Sequence, residues 1–485
     1  MSPTSSASST EPPSGPCRKN TGPIPRNPRF MVPNGRFSIG KRPKSTANRG
    51  FRCLHTGFSG TTMSHNSAES RTRSDMPWRL ALALLIGPAC WLMPHQGVAM
   101  ILLPQKIADI SPNDKVALVA AFSSASMVIG LFSNVLFGAF SDVTRTRFGK
   151  RTPWIVGCSI GSSLLLYGLS TASSIPTLLA WWCCCEAVIN GVAAPMIAQL
   201  SDRVPDRWKG TVSACYGISQ TIGNQIGIAV ASLYLGNVRF GIRTFAIVAA
   251  IGCLASSAIA GEPSNFTERG HHVSMRALIR HFIPPTQNAG NFYKALISKF
   301  LMLASSGMTS SYLLYIATDY LHARNQQSIL STTASITLIT GIICSLIAGP
   351  LSDHLSKVKS FVVIALLIMA AGSALPAFSD DDTLFLAGML IVGIGMGIHA
   401  SVDQKLNLLV LPNPDTAAKD LGVMNMANTM GTLCGSLAAA YIIGTWGYHE
   451  LFITECLIMC AGTVFAACVR IERPTATTSP TSKNV

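Results

Sequence analysis

From Arg79 onward the chain alternates long apolar stretches with short polar ones. Twelve apolar stretches occupy residues 79–103, 116–141, 153–173, 177–201, 210–236, 242–261, 291–320, 327–351, 360–379, 383–411, 421–444 and 448–469. A helix rising 1.5 Å per residue crosses a hydrocarbon core about 30 Å thick in about 20 residues, and every stretch is at least that long. The pattern predicts an all-α membrane protein with twelve transmembrane helices. The longest polar interruption, 262–290, divides them six and six. It carries Pro284-Pro285 and a short amphipathic run, Arg276 to Phe282, as a linker between bundles would. The expected organisation is a leader at 1–78, a six-helix bundle at 79–261, the linker at 262–290, a second bundle at 291–470 and a tail at 471–485.

The two sets of six also match in sequence. Gly138-x-x-x-Asp142 recurs as Gly349-x-x-x-Asp353, an offset of 211, and Pro205-Asp206 recurs as Pro414-Asp415, an offset of 209. Two landmarks at nearly one spacing indicate an internal repeat. Parallel six-helix halves, related by a pseudo-symmetry axis along the membrane normal, are an architecture of secondary transporters.

Composition agrees: only 12% of residues are charged and 48% are apolar, against about 25% charged in soluble domains. The net charge of +15 does not point to nucleic acid, because of where it lies. Twelve basic residues and three acids fall in the first 78 positions, and most other basic residues sit in loops. With the N-terminus inside, inner connections hold thirteen Lys and Arg and outer ones five. That bias predicts a multi-pass protein of the cell (plasma or inner) membrane with both termini cytoplasmic and lipid around it.

The leader is Ser-, Pro- and Arg-rich with too few apolar residues for a core, which predicts disorder. It reads either as an organelle transit peptide or as sequence ahead of a true start at Met63. Of fourteen cysteines, twelve lie in or beside apolar stretches. They show no CxxC pair with a matching His or Cys set, so neither a metal site nor a disulfide framework is expected. No Ser/His/Asp, His-x-x-x-His or metal spacing marks a catalytic cluster either. The expectation is a protein that is not an enzyme, has no cofactor and works as a monomer.

One polar stretch, Gly138 to Pro153, separates two charge-free spans and carries Asp142 with Arg145, Arg147, Lys150 and Arg151. It resembles the loop G-x-x-x-D-(R/K)-x-G-(R/K)-(R/K) of the major facilitator superfamily, through Gly138, Asp142, Gly149, Lys150 and Arg151. The lengthened form at Ser141 to Trp154 is similar to the branch of glycoside–pentoside–hexuronide and sucrose/proton symporters. Val402-Asp403-Gln404 and the stretch Lys419 to Thr429 are similar to bacterial members of that branch. The resemblance implies that these charges, with Asp353 in the weaker copy, form a cytoplasmic gate that latches the halves when the cavity opens outward. Some positions depart from the pattern. Val143 stands where a basic residue is usual, and His399 where relatives carry an aromatic one. Residues 116–141 lack the carboxylates of sodium-coupled members.

Polar residues inside the spans supply the candidate chemistry. A charge at mid-membrane costs about 2.5 to 3.5 kcal/mol on insertion scales and normally faces a cavity or a partner. Glu186 lies about 14 Å down its helix, where a carboxyl can load and release a proton; the alternative is a neutral acid bonded to a neighbouring helix. His399 and Asp403, at i, i+4, form a second proton-coupling candidate, or Asp403 pairs with Lys299 or Lys405. His95, Gln96, Asn190, Gln220 and Asn224, near Trp91 or Trp182, suit hydrogen bonding to a polyol, or they hold helices together.

The expected function is secondary active transport of a small polar solute, a sugar or glycoside, by proton symport with alternating access. An exporter of drugs or metabolites by proton antiport, or a transport-dead membrane sensor, is the alternative.

Overall fold

A computed structural model describes residues 76–266, 285, 287, 289–355, 357–412 and 417–470. The leader up to residue 75 with Met63, the amphipathic run at 276–282, the Pro414-Asp415 landmark and the tail from 471 lie outside the described residues. Every regular element described is helical. The first six helices are α1 (Trp78–Ile110), α2 (Lys115–Val143), α3 (Thr152–Thr171), α4 (Ile175–Arg203), α5 (Asp206–Ser232) and α6 (Val238–Ala260). The next six are α7 (Gly290–Ser311, continued by Leu313–Tyr320), α8 (Gln326–Leu355), α9 (Val358–Ala374), α10 (Asp382–Leu409), α11 (Ala417–Thr445) and α12 (Tyr448–Ala467).

Ten of the described helices are long and apolar enough to cross a membrane, and bent α7 counts as an eleventh when taken as one span. Helix α5 is the exception. Its 27 residues are long enough, but Ser219, Gln220, Thr221, Asn224 and Gln225 fill its middle.

The repeat is plain in the packing. Trp78 and Gly290 open their halves 212 residues apart, and Val238 and Tyr448 open the last helices 210 apart. In the first half α1 packs on α5 and α6, α3 on α4 and α6, and α2 on α4. The second half repeats every pairing: α7 on α11 and α12, α9 on α10 and α12, and α8 on α10. Between halves, α5 meets α8 and α2 meets α11, which are the same contact seen from either side of the axis.

Small residues set these distances. A Cβ on Gly227 of α5 would overlap the Met93 carbonyl of α1, and one on Gly435 of α11 would overlap the Ala304 carbonyl of α7. Both belong to a G-x-x-x-G pair, Gly223–Gly227 and Gly431–Gly435, whose bare faces let backbones touch.

Two helices differ from the sequence pattern. Helix α1 was expected to end at residue 103 but continues to Ile110 through a π turn at Val98–Leu102. Its Lys106 is not in a loop. It is buried, and its ammonium donates to the Leu169 and Ser170 carbonyls at the end of α3, at 3.0 and 2.8 Å. Helix α7 breaks after Ser311 and bends by 52°.

We call the end bearing Gly138–Pro153 the loop end and the opposite one the far end. At the far end the halves are joined. The Lys115 ammonium pairs with Asp319 at 2.7 Å. The Tyr312 and Tyr315 hydroxyls donate to the Val116 and Pro104 carbonyls at 3.2 and 2.9 Å. Nearer the middle, the Gln225 amide donates to Thr337 at 2.8 Å.

Candidate functional site

Between the halves lies a cavity of about 310 Å³. Helix α1 offers His95 and Gln96 to it, α4 offers Trp182 and Glu186, and α11 offers Asn428 and Ser436. Two prolines and a π turn shape α1 here, since Pro88 and Pro94 each remove a ladder hydrogen bond. Further along α1, and on α2, the lining is apolar, with Met100, Leu103, Ile107, Val119 and Phe122.

The polar wall centres on one pair. Nε2 of His95 lies 2.9 Å from Oε2 of Glu186. The imidazole stacks on Trp182, with ring centroids 5.8 Å apart and planes 22° from parallel. The indole N–H of Trp182 is fixed in turn by the Ser126 hydroxyl. Among the described residues, four buried polar atoms on the lining find no partner: His95 Nδ1, Gln96 Oε1, Asn428 Oδ1 and Ser436 Oγ. Unpaired buried polar atoms are rare and costly in a folded protein. Gathered around one cavity, they are ready to bond a solute.

The sequence candidates divide. His95, Gln96 and Glu186 come together on the lining, although nothing in the spacing along the chain pairs His95 with Glu186. Asn190, Gln220 and Asn224 are half-buried and not on the lining. Asn190 instead works inside the first half: its amide donates to the Glu186 carbonyl at 2.8 Å, and its oxygen accepts from Asn134 at 3.3 Å. For Asn190 the helix-joining role is the one seen, because the side chain points along its own helix and toward α2. Ser126, Asn428, Thr432 and Ser436 were missed. Hydroxyls and amides in apolar runs are common and carry no mark of direction.

The His399–Asp403 candidate is a second cluster away from this cavity's lining. Asp403 pairs with Lys299 of α7 at 2.7 Å and accepts from Asn407 at 3.1 Å, while His399 Nε2 stands 4.0 Å from its other oxygen. Asp403 is therefore held by the Lys299 cation, one of the two partners considered for it.

At the loop end Arg151 is the hub. Its guanidinium meets Asp142 at 2.5 Å, Asp202 at 2.8 Å and the Ser141 hydroxyl, and Lys150 also reaches Asp202 at 2.8 Å. Glu262 caps the start of α3, accepting from the N–H groups of Lys150, Arg151 and Thr152 at 2.8 to 3.2 Å. Gly149 sits at φ +86°, and a Cβ there would collide with Glu262, so a glycine is needed on both counts. Gly138 lies in open space. Arg145 and Arg147 are exposed and make no ion pair with a described residue. In the second half Asp353 pairs with Lys405 at 2.6 Å. All these partners lie within one half. With the far end closed, these contacts brace α2, α3 and α4 together, through Asp202 of α4 and through Glu262 just after α6. The latch expected of Asp142, Arg145, Arg147 and Arg151 belongs to the opposite state, in which the cavity opens outward.

Comparison with known proteins agrees with this fold. The sequence profile described as Major Facilitator Superfamily matches residues 80–265 and 295–485. The chain belongs to this superfamily. It is a multi-pass membrane transporter and not an enzyme. No curated protein sequence matches it significantly. Among solved structures it is similar to the human organic anion transporter MFSD10 (TETRAN), at 13% identity and a TM-score of 0.59, covering 80% of this chain and 99% of that one. The nucleoside transporter NupG is similar at 13% identity and a TM-score of 0.62, over 80% and 99% of the two chains. So is a bacterial homologue of the human lysosomal transporter Spinster, solved inward-facing and occupied, at 13% identity and 0.61, over 80% and 96%. At that identity these similarities speak to the fold alone. The superfamily is the one expected from Gly138–Arg151.

Proposed function

We propose that this superfamily member carries a small solute with one polar and one apolar face, a sugar or glycoside, by proton symport. The His95–Glu186 pair on the cavity wall is the observation that supports this most. A carboxyl sharing a hydrogen with an imidazole at mid-membrane can exchange a proton with water when the cavity opens. Trp182, stacked on the imidazole, fixes the ring in place, and the unpaired Gln96 and Asn428 oxygens would accept a sugar's hydroxyls. In this reading the loop end is cytoplasmic, both termini face the cytoplasm of a cell-membrane protein, and the far-end contacts close the outside. The lengthened loop at Ser141–Trp154 favours the glycoside–pentoside–hexuronide and sucrose/proton branch.

The apolar wall of Met100, Leu103, Ile107, Val119 and Phe122 favours one second reading, export of an amphiphilic drug or metabolite by proton antiport. Uptake by reconstituted protein separates them. A panel of sugars and aryl glycosides, with and without an inward proton gradient, should show gradient-driven accumulation of at least one. Gradient-driven extrusion of amphiphiles with no sugar accumulation would reject the symport reading.

A further inference from the structure

The pair on the cavity wall leaves one intramembrane carboxyl unused. Glu455 of α12 is 3% exposed and lies seven residues inside its helix. No Lys, Arg or His among the described residues forms an ion pair with it. Its carboxyl shares a hydrogen bond with the Thr309 hydroxyl of α7, and its own carbonyl accepts from Ser305 at 2.9 Å.

Thr309 is also where α7 breaks. Its carbonyl accepts the last helical bond, from the Tyr312 N–H at 3.3 Å, before the 52° bend. Three polar contacts that join the halves at the far end are carried by the second half beyond that bend: Tyr312 on Val116, Tyr315 on Pro104 and Asp319 on Lys115. Helix α12 holds this arm at several points, with Tyr448 and Phe452 also packed on the Tyr320 ring at centroid distances of 6.1 and 5.3 Å. Glu455 holds the pivot, and the Tyr448 hydroxyl donates to Asp319 at the tip at 3.2 Å.

Other charged groups on the elements around Glu455 are engaged or placed elsewhere. On α7, Lys299 is paired with Asp403, Lys294 is near the loop end and Asp319 is paired with Lys115. Helix α9 contributes only Lys359, and the described charge on α11 is Asp420, both near the loop end. The turn at Leu375–Ala377 has none, and α12 itself adds His449 and Glu450 at its exposed start. With no cation to meet, only the neutral acid suits the dry position beside Thr309. An ionised carboxylate would draw water or swing toward it.

We propose that Glu455 is a proton-binding residue that sets the bend of α7: protonation holds the far end closed, and loss of the proton to water releases it. The proposal rests on alternating access alone, not on the substrate or on the Glu186 pair. Hydrogen exchange of the backbone over residues 312–325, in lipid nanodiscs and corrected for the intrinsic rate, tests it without any transport. In the wild type, protection of this segment should fall by about tenfold or more between about pH 5 and pH 9. Glu455→Gln mimics the neutral acid, and its segment should stay protected across the range. Thr309→Val should lower protection at acid pH. A wild-type segment whose protection ignores pH overturns the proposal. So does a Glu455→Gln protein that keeps the wild-type pH dependence, which would assign the titration to Asp319 or its neighbours.

Discussion

His95 of α1 and Glu186 of α4 are 91 residues apart in sequence and 2.9 Å apart in the cavity wall. A charge-assisted hydrogen bond of this kind contributes about 1.5 to 3 kcal/mol. Replacing Glu186 by Gln keeps the shape and removes the ionisable group. Uptake by Glu186→Gln should lose its dependence on the proton gradient, while solute exchange at equal pH persists. Uptake that stays fully gradient-driven in this variant would move coupling elsewhere. A double-mutant cycle of His95→Gln with Glu186→Gln, read by thermal unfolding, should return a coupling energy within that range.

Arg151 is 4% exposed and answers two carboxylates, whereas Arg145 and Arg147 answer none among the described residues. The partners of Arg151, Asp142 and Asp202, are 48% and 27% exposed and Lys150 still faces Asp202, so losing the guanidinium should cost about 1 to 3 kcal/mol. Arg151→Ala should lower the thermal midpoint in detergent by several degrees, and Arg145→Ala should shift stability by less than about 0.5 kcal/mol. Equal effects would mean that the charges act through the net field of the loop and not through this hub.

Lys115 and Asp319 join the halves at a half-exposed site, so their pair is worth about 1 kcal/mol after solvent screening. Asp319→Asn should therefore raise the population open at the far end by about fivefold. Distances measured between spin labels at Asp114 and Arg324, in a cysteine-depleted background, would report it. An unchanged distance distribution would leave closure to Tyr312 and Tyr315.

Gly227 and Gly435 hold equivalent backbone contacts in the two halves. Leucine at either should prevent the close approach of α1 with α5, or of α7 with α11, and yield little folded protein. Gly210→Ala, with open space around the new methyl, should fold normally. Size-exclusion profiles of the three variants make the comparison, and a monodisperse Gly227→Leu protein would show that the α1–α5 contact is not limiting.

The sequence by itself determined twelve helices and the six-plus-six repeat, with helix ends close to those seen except at α1, which runs on to Ile110. It could do so because a bilayer demands about 20 apolar residues per crossing and keeps most charge in loops. Tertiary structure decided which way each polar side chain faces. Gln220 and Asn224 share the i, i+4 spacing of a cavity face, yet Asn428 and Ser436 are the ones on the lining. Glu455 drew no notice in its sequence, and it proved to touch the break of α7. The physical reason is common to all of these. Lipid and helix core are equally apolar, so a membrane helix carries little amphipathic phase, and its rotation is set by close contacts such as those at Gly227 and Gly435.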